Sequence, residues 1–214
     1  NEFIICLGYK GYFIKEFFHK YFLHQSDVTI DVLKNSIEVH SCKSEPWKIT
    51  LIDTGLNTMT GGRVKRIQKY TYGEPFMVTY GDGVADINIR NLIEFHNSHG
   101  KIGTISSTQP IGRFGALNIG KNNRIDKFTE KPRGDGAWVN IGFFVFQPDF
   151  YNYLNEDPKL IFEKEPLETI AKDGQLFTYK HNGFWKCMDT KRDRDELENL
   201  WNSNPPWKLW KNDG

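Results

Sequence analysis

The sequence predicts an α/β protein: a mixed, mainly parallel sheet flanked by helices, with inserted antiparallel strands. Two short apolar runs, Phe3-Ile4-Ile5-Cys6-Leu7 before Gly8 and Phe76-Met77-Val78-Thr79-Tyr80 before Gly81, have the character of strands covered on both faces. Helical patterns follow them, so the chain opens in βα alternation and turns β-rich only in its middle. With 214 residues and neither an internal repeat nor a low-complexity linker, it suits a single domain.

Each element has its own signal. After the strand at Phe3 to Leu7, the segment Lys10 to Phe22 sets Tyr12, Phe13, Phe17, Phe18, Tyr21 and Phe22 at three- and four-residue spacings, an amphipathic helix. Val28 to Val39 and Trp47 to Ile52 read as strands, residues 53–62 as a loop, and Arg63 to about Tyr70 as a helix. The strand Phe76 to Tyr80 is followed by a helix from Ile89 to His99, closed by Gly100. Ile102 to Thr108, Ala116 to Ile119, Ile125 to Glu130 and Trp138 to Phe146 are strand candidates. Helices are expected at Phe150 to Leu154, Pro158 to Lys172 and Arg192 to Asn202, with a strand near Leu176 to Tyr179.

Charge and cysteine content narrow the function classes. Lys and Arg number 28 against 27 Asp and Glu, a net charge of +1, so no global field favours nucleic acid or an anionic membrane. Phosphate recognition must then be local. The N-terminal apolar run falls far short of the ~20 residues a membrane span requires, and no signal peptide precedes it. Cys6, Cys42 and Cys187 form no C-x-x-C pair, which suits a reducing cytoplasm and buried, inert thiols.

Three features would reach the carboxyl ends of the strands, where open α/β sheets bind ligands. In Tyr80-Gly81-Asp82-Gly83-Val84-Ala85-Asp86, glycines flank an aspartate directly after an apolar strand. Asp82 is placed to hold a hard cation such as Mg²⁺ together with phosphate oxygens and water, while Asp86 suits a cap on the next helix. An isolated Asp-Gly is more often a plain turn; the buried strand ahead of it favours function. In Met59-Thr60-Gly61-Gly62-Arg63, a glycine pair runs into a helix opening with arginine, where N–H groups and a guanidinium could meet phosphate, although such a pair is usually only a turn. Third come Glu130-Lys131-Pro132, Asn140-Ile141-Gly142 and Trp185-Lys186-Cys187-Met188-Asp189-Thr190. Glu130, Lys131 and Asn140 could meet sugar hydroxyls and a monophosphate, and Asp189 could give the cation a second carboxylate or cap the last helix. His96 and His99 share a helix face without an obvious third metal ligand, so an exposed helix end is the better reading.

In this order the segments resemble the glucose-1-phosphate cytidylyltransferases of the sugar-nucleotide pyrophosphorylase superfamily. The likeness spans essentially the whole chain: Gly8-Tyr9-Lys10-Gly11, Tyr21-Phe22-Leu23-His24, Thr58-Met59-Thr60-Gly61-Gly62-Arg63, the Tyr80 to Asp86 turn, Gly112-Arg113-Phe114-Gly115, Glu130-Lys131-Pro132, Gly134-Asp135-Gly136, Gly142-Phe143-Phe144-Val145, Gly183-Phe184-Trp185 and Met188-Asp189-Thr190. The resemblance implies a Rossmann-like fold, with CTP and α-D-glucose 1-phosphate as substrates, CDP-glucose and pyrophosphate as products, and Mg²⁺ as metal. It implies that the product feeds deoxysugar synthesis for bacterial surface polysaccharide, and the cysteine usage makes the cytoplasm the expected compartment. Asp82 and Asp189 match the family's metal carboxylates, Thr58, Arg63 and Gly81 its nucleotide contacts, and Glu130, Lys131 and Asn140 its sugar-phosphate side. Arg63, Asp82 and Asp189 would be the catalytic groups, positioning and neutralising charge with no protein nucleophile.

Family members begin with a strand, a glycine-rich G-G-x-G-T-R-type loop and a lysine-bearing segment that hold the triphosphate, whereas this chain starts at Asn1 after all of these. The expectation is a nucleotidyltransferase domain over residues 1–214 without its first strand, phosphate loop and first helix, inactive or nearly so alone. Two other readings are a metal-dependent glycosyltransferase and a non-catalytic nucleotide-binding subunit. The aromatic tail Pro205-Pro206-Trp207-Lys208-Leu209-Trp210 wants a packing surface, on its own domain or in a homo-oligomer.

Overall fold

A computed structural model describes residues 1–110, 116–119, 121–129 and 137–210. The chain divides into two compact units, Asn1–Gly73 with Tyr151–Glu168, and Glu74–Phe150 with Thr169–Gly214.

In the first unit, β1 (Glu2–Leu7) leads into α1 (Gly11–His24). No residue of α1 is buried, and Tyr12, Phe13 and Phe17 lie open to solvent. The strand expected over Val28 to Val39 is a hairpin, β2 (Ser26–Asp31) and β3 (Ser36–Cys42), with Val28 opposite Val39 and Ile30 opposite Ile37. The reversal is made by Asp31, whose Oδ1 accepts the Lys34 N–H at 3.0 Å, and by Asn35 at φ 49°. No glycine or proline announces it in the sequence. β4 (Lys48–Asp53) pairs in parallel with β1, from Lys48 beside Glu2 to Asp53 beside Leu7.

α2 runs over Thr60–Arg66 and ends in a 3₁₀ turn, Gln68–Tyr70, so the two glycines expected ahead of the helix are inside it. Their smallness serves packing: a Cβ on Gly61 would lie 2.8 Å from Leu160 Cγ, and one on Gly62 would lie 2.8 Å from Thr58 Cγ2. This docking also explains why the helix expected from Pro158 is confined to Glu165–Lys172. Pro158 O accepts from Met59, Leu160 O accepts from Gly61 and Gly62, and the Phe162 N–H goes to Thr60 Oγ1, so the backbone of 158–162 is spent on α2. Leu7, Val64, Ile67, Tyr151, Leu154, Leu160, Phe162 and Leu167 are among the buried apolar residues of this unit.

The second unit holds β5 (Phe76–Thr79), β6 (Gly83–Ala85), α3 (Ile89–His99), β7 (Gly103–Thr108), β8 (Ala116–Ile119), β9 (Ile125–Thr129) and β10 (Val139–Phe146). The end of α4 (Glu165–Lys172), then β11 (Leu176–Lys180), β12 (Trp185–Cys187) and α5 (Lys191–Ser203) complete it. Its main sheet has the order β11-β7-β10-β5. β11 and β7 are parallel and β10 is antiparallel to both β7 and β5, so three strands share a direction and β10 is the inserted reverse strand. β6 and β12 form a separate antiparallel ribbon, and β8 and β9 a hairpin. Phe144, Phe146 and Phe150 are fully buried, with the last two rings stacked at 3.9 Å, while Ile87, Leu92 and Val145 make a second apolar cluster. That rigid sheet supports the turn after β5.

Candidate functional site

In the second unit, Asp82 lies between the end of β5 and the short strand β6, whose partner β12 was not anticipated from sequence. Gly83 sits opposite Cys187, and one step further the Met188 N–H donates to Asp82 O at 2.7 Å. Asp189 is the next residue, so the ribbon carries two exposed carboxylates, Asp82 and Asp189, at one end. Among the described residues other than its chain neighbours, none comes within 4 Å of where a Cβ on Gly81 would stand, leaving the backbone before Asp82 approachable. Among the described residues neither carboxylate has an ion-pair partner.

Asp189 does not cap α5, an alternative left open by the sequence. Thr190 is the N-cap: it accepts from the Asp193 N–H while Asp193 Oδ2 accepts from the Thr190 N–H, a complete capping box. Asp189 is thereby left exposed, its Oδ2 accepting, among the described residues, only the Cys187 thiol at 3.0 Å. Burial, and then Asp189, push the Cys187 thiol above its ordinary range, which keeps it a donor. Two exposed carboxylates at one ribbon end are a hard-oxygen donor set of the kind Mg²⁺ accepts. No group of three or more His, Cys, Asp or Glu among the described residues could hold an ion unaided, so phosphate and water oxygens would complete the shell.

The bulge in β10 fixes this turn. Asn140 faces Ser107 of β7, register then slips before Phe144, and Gly142 takes φ 81°. Asn140 Oδ1 accepts the Gly142 N–H at 2.8 Å, while its amide NH₂ has no partner among the described residues. A Cβ on Gly142 would lie 2.5 Å from the ring of Tyr80, the residue two before Asp82. Ile141 O, between them, accepts Trp185 Nε1–H at 3.1 Å and so ties β12 to the same bulge.

At the other end of the ribbon, Asp86 is not a helix cap; that position belongs to Asn88, whose side chain accepts from the Asn91 N–H. Asp86 Oδ1 instead lies 2.9 Å from Nε2 of buried His181, which is also 3.1 Å from Phe184 O. The ring N–H is directed to Phe184 O, and Asp86 Oδ1, with no hydrogen-bond partner among the described residues, keeps a close electrostatic contact with the imidazole. A Cβ on Gly183 would collide with Asp86 Oδ1 and lie 2.8 Å from His181 Cε1, so a larger residue there would push this pair apart. His181 is anchored to β7 through its N–H to Ser107 O and through its carbonyl, which accepts from Thr108 Oγ1. Only the Gly183-Phe184-Trp185 segment hinted at this in the sequence.

In the first unit, Thr58 and Arg63 belong to a polar cluster. Arg63 Nη1 donates to Leu7 O at 2.9 Å and to Thr54 Oγ1 at 2.7 Å, and its Nη2 would lie 2.7 Å from a Cβ on Gly8. Thr58 Oγ1 accepts from Arg66 Nη1, which also donates to Thr54 O. Neither guanidinium has a carboxylate partner among the described residues. The N–H groups of Gly61 and Gly62 both go to Leu160 O, so they are not the open anion site expected of a helix start. Glu130 and Lys131, the other sugar-phosphate candidates, lie outside the described residues, as do the 112–115 and 134–136 motifs.

His96 and His99 are structural. His96, 1% exposed, accepts from Gln147 at Nε2, and both His96 Nδ1 and His99 Nε2 meet Thr104 Oγ1, at 2.9 and 2.8 Å. His96 is thus inside the unit, not at an exposed helix end. Cys42 likewise departs from expectation by being exposed, whereas Cys6 and Cys187 are half-buried. In the tail, Trp207 stacks between Phe184 and Trp201 of its own unit.

The profile described as Nucleotidyl transferase matches residues 33–192. The chain is 51% identical over 212 residues to the glucose-1-phosphate cytidylyltransferase of Salmonella typhimurium, covering 98% of this chain and 82% of that protein, with the same figures for the Salmonella typhi protein. Among solved structures, HddC from Yersinia pseudotuberculosis superimposes with a TM-score of 0.62 at 19% identity, over 94% of this chain and 78% of that one, a likeness of fold. The chain therefore belongs to the nucleotidyl transferase family, an enzyme class that acts on a nucleoside triphosphate and a phosphorylated acceptor. Within that family, its kin are the glucose-1-phosphate cytidylyltransferases.

Proposed function

We propose that the protein transfers a cytidylyl group from CTP to α-D-glucose 1-phosphate, giving CDP-glucose and pyrophosphate. The observation that carries this reading is 51% identity to the Salmonella typhimurium cytidylyltransferase across 98% of the chain. A phosphate oxygen of the sugar phosphate attacks the α-phosphorus of CTP, and the bond to the β-phosphate oxygen breaks as pyrophosphate leaves. Asp82 and Asp189 hold Mg²⁺, which when bound supplies positive charge to the phosphate oxygens. Arg63 and Thr58 serve as nucleotide contacts, and Gly81 lets the backbone approach the nucleotide; Glu130, Lys131 and Asn140 hold the sugar phosphate. The chain's task is to orient two anions and offset their repulsion, with no covalent intermediate.

A cytoplasmic homo-oligomer supplying CDP-glucose for bacterial lipopolysaccharide completes the reading. Among the described residues no helix is long and apolar enough to cross a membrane. The test is pyrophosphate release and CDP-glucose formation by the product of the whole reading frame that encodes this chain, with CTP, UTP or dTTP in turn. Release with CTP and glucose 1-phosphate, abolished by EDTA and restored by Mg²⁺, is expected. Preference for another nucleotide, or turnover that persists without a divalent cation, would refute it.

A further inference from the structure

Lys180, the last residue of β11, has an unusual setting for a lysine. Along β11, Phe177 and Tyr179 turn toward α3, where Phe177 stacks on His99 at 4.6 Å and Tyr179 meets Phe95 at 5.7 Å. Strand alternation sends Thr178 and Lys180 to the opposite face, and Thr178 Oγ1 meets Ser107 Oγ there at 2.7 Å. In register, Lys180 lies beside Ser107 of β7, and Ser107 lies beside Asn140 of β10. Lys180, Ser107 and Asn140 thus form a row across three strands on one face, at the carboxyl ends of β7 and β11. Two strand spacings separate Lys180 from Asn140, about 10 Å, enough to admit a sugar phosphate between their side chains.

Lys180 Nζ stands 5.0 Å above the ring of Trp138, two residues before Asn140. Among the described residues it has no carboxylate partner. Lys186, by contrast, is committed to Glu196 at 2.9 Å and to Asp193 at 3.3 Å. A cation held in place by an indole and left unneutralised is suited to an incoming anion, and a phosphate monoester brings roughly two negative charges at neutral pH.

We propose that Lys180 binds the phosphate of the sugar 1-phosphate and that Trp138 is the positioning residue that holds its ammonium group. This rests on the cytidylyltransferase reading. It adds two side chains to the sugar-phosphate subsite that sequence comparison alone did not single out, with the Asn140 amide donating to the same substrate.

The test uses the product of the whole reading frame with K180Q, K180R, W138F and W138L. K180Q should raise the KM for glucose 1-phosphate at least about tenfold and leave the KM for CTP within about twofold. K180R should recover most of the loss, and W138F should stay closer to the parent than W138L, because phenylalanine keeps a ring face. Calorimetric titration with glucose 1-phosphate, independent of turnover, should show the same loss of affinity in K180Q. Thermal melts of the exposed-site K180Q variant control for folding. If the parent binds glucose 1-phosphate but makes no CDP-glucose, the cytidylyltransferase reading fails while weaker binding in K180Q still upholds Lys180. Equal affinity in parent and K180Q, a matching rise in the KM for CTP, or no binding by the parent overturns the inference.

Discussion

Thr104 Oγ1 accepts from two imidazoles, and this arrangement fixes their protonation. Lys101 N–H donates to His99 Nδ1 and Gln147 donates to His96 Nε2, so each ring uses its remaining N–H on Thr104 and both are neutral. Burial, reinforced by His99, lowers the basicity of His96; burial, reinforced by Lys101, lowers that of His99. Because the folded pKa values lie below the unfolded value near 6.5, the unfolded chain binds more protons under that pH. The stabilisation is therefore complete above about 6.5 and declines as pH falls from there toward the folded values. Urea midpoints measured from pH 7.5 to 5.5 should fall, and H96Q should flatten that dependence. Asp82 is exposed and, among the described residues, without an ion-pair partner, so D82N should leave the melting temperature nearly unchanged while lowering pyrophosphate release by on the order of 100-fold or more, with a raised Mg²⁺ requirement. The thiols differ too: hydrogen bonds from Ser26 and Ser44 lower the pKa of exposed Cys42, while burial raises that of Cys6 against the opposing Arg63 charge. Cys42 should label first with a thiol reagent, and Cys6 last, by mass spectrometry of timed digests.

At the level of elements, the α5 cap and the β10 bulge support the candidate site. T190A removes the capping box and should cost about 1 kcal/mol in denaturant unfolding. G142A must place a Cβ at positive φ against the Tyr80 ring, and should cost about 2–4 kcal/mol while depressing kcat, since Tyr80 leads into Asp82. β1, β4, β5, β7, β11 and α3 were legible in the sequence because apolar runs and glycine stops are local signals. What escaped was set by distant partners. The β6–β12 ribbon consists of three-residue strands pairing across about 100 positions, too short to show alternation. The segment 158–164 has helical composition, yet its backbone is taken by α2. Asp86 and Asp189 both looked like caps, and only the structure shows Asn88 and Thr190 in those positions, with the two aspartates turned to other uses.

For the molecule as a whole, a net charge of +1 leaves recognition to local groups, which on the proposed reading would be the guanidinium pair at Thr54 in one unit, and Lys180 with the exposed carboxylates in the other. The protein should therefore show no retention on immobilised DNA at physiological salt, a simple column measurement. The residue types of the candidate site could be read from the sequence, but that the Asn140 amide and Lys180 lack hydrogen-bond or carboxylate partners among the described residues could not, because register between strands decides their neighbours. In the proposed reaction, the three-residue bulge Asn140-Ile141-Gly142 would serve the substrate side, the ribbon and the metal-side turn at once, through the Asn140 amide, the Ile141 carbonyl and the close approach of Gly142 to Tyr80. Inheritance of such a segment is all or nothing. A descendant enzyme that acquires a new sugar must do so through side chains around it, such as Trp138 and Lys180, because a substitution inside it would disturb recognition and chemistry in the same generation.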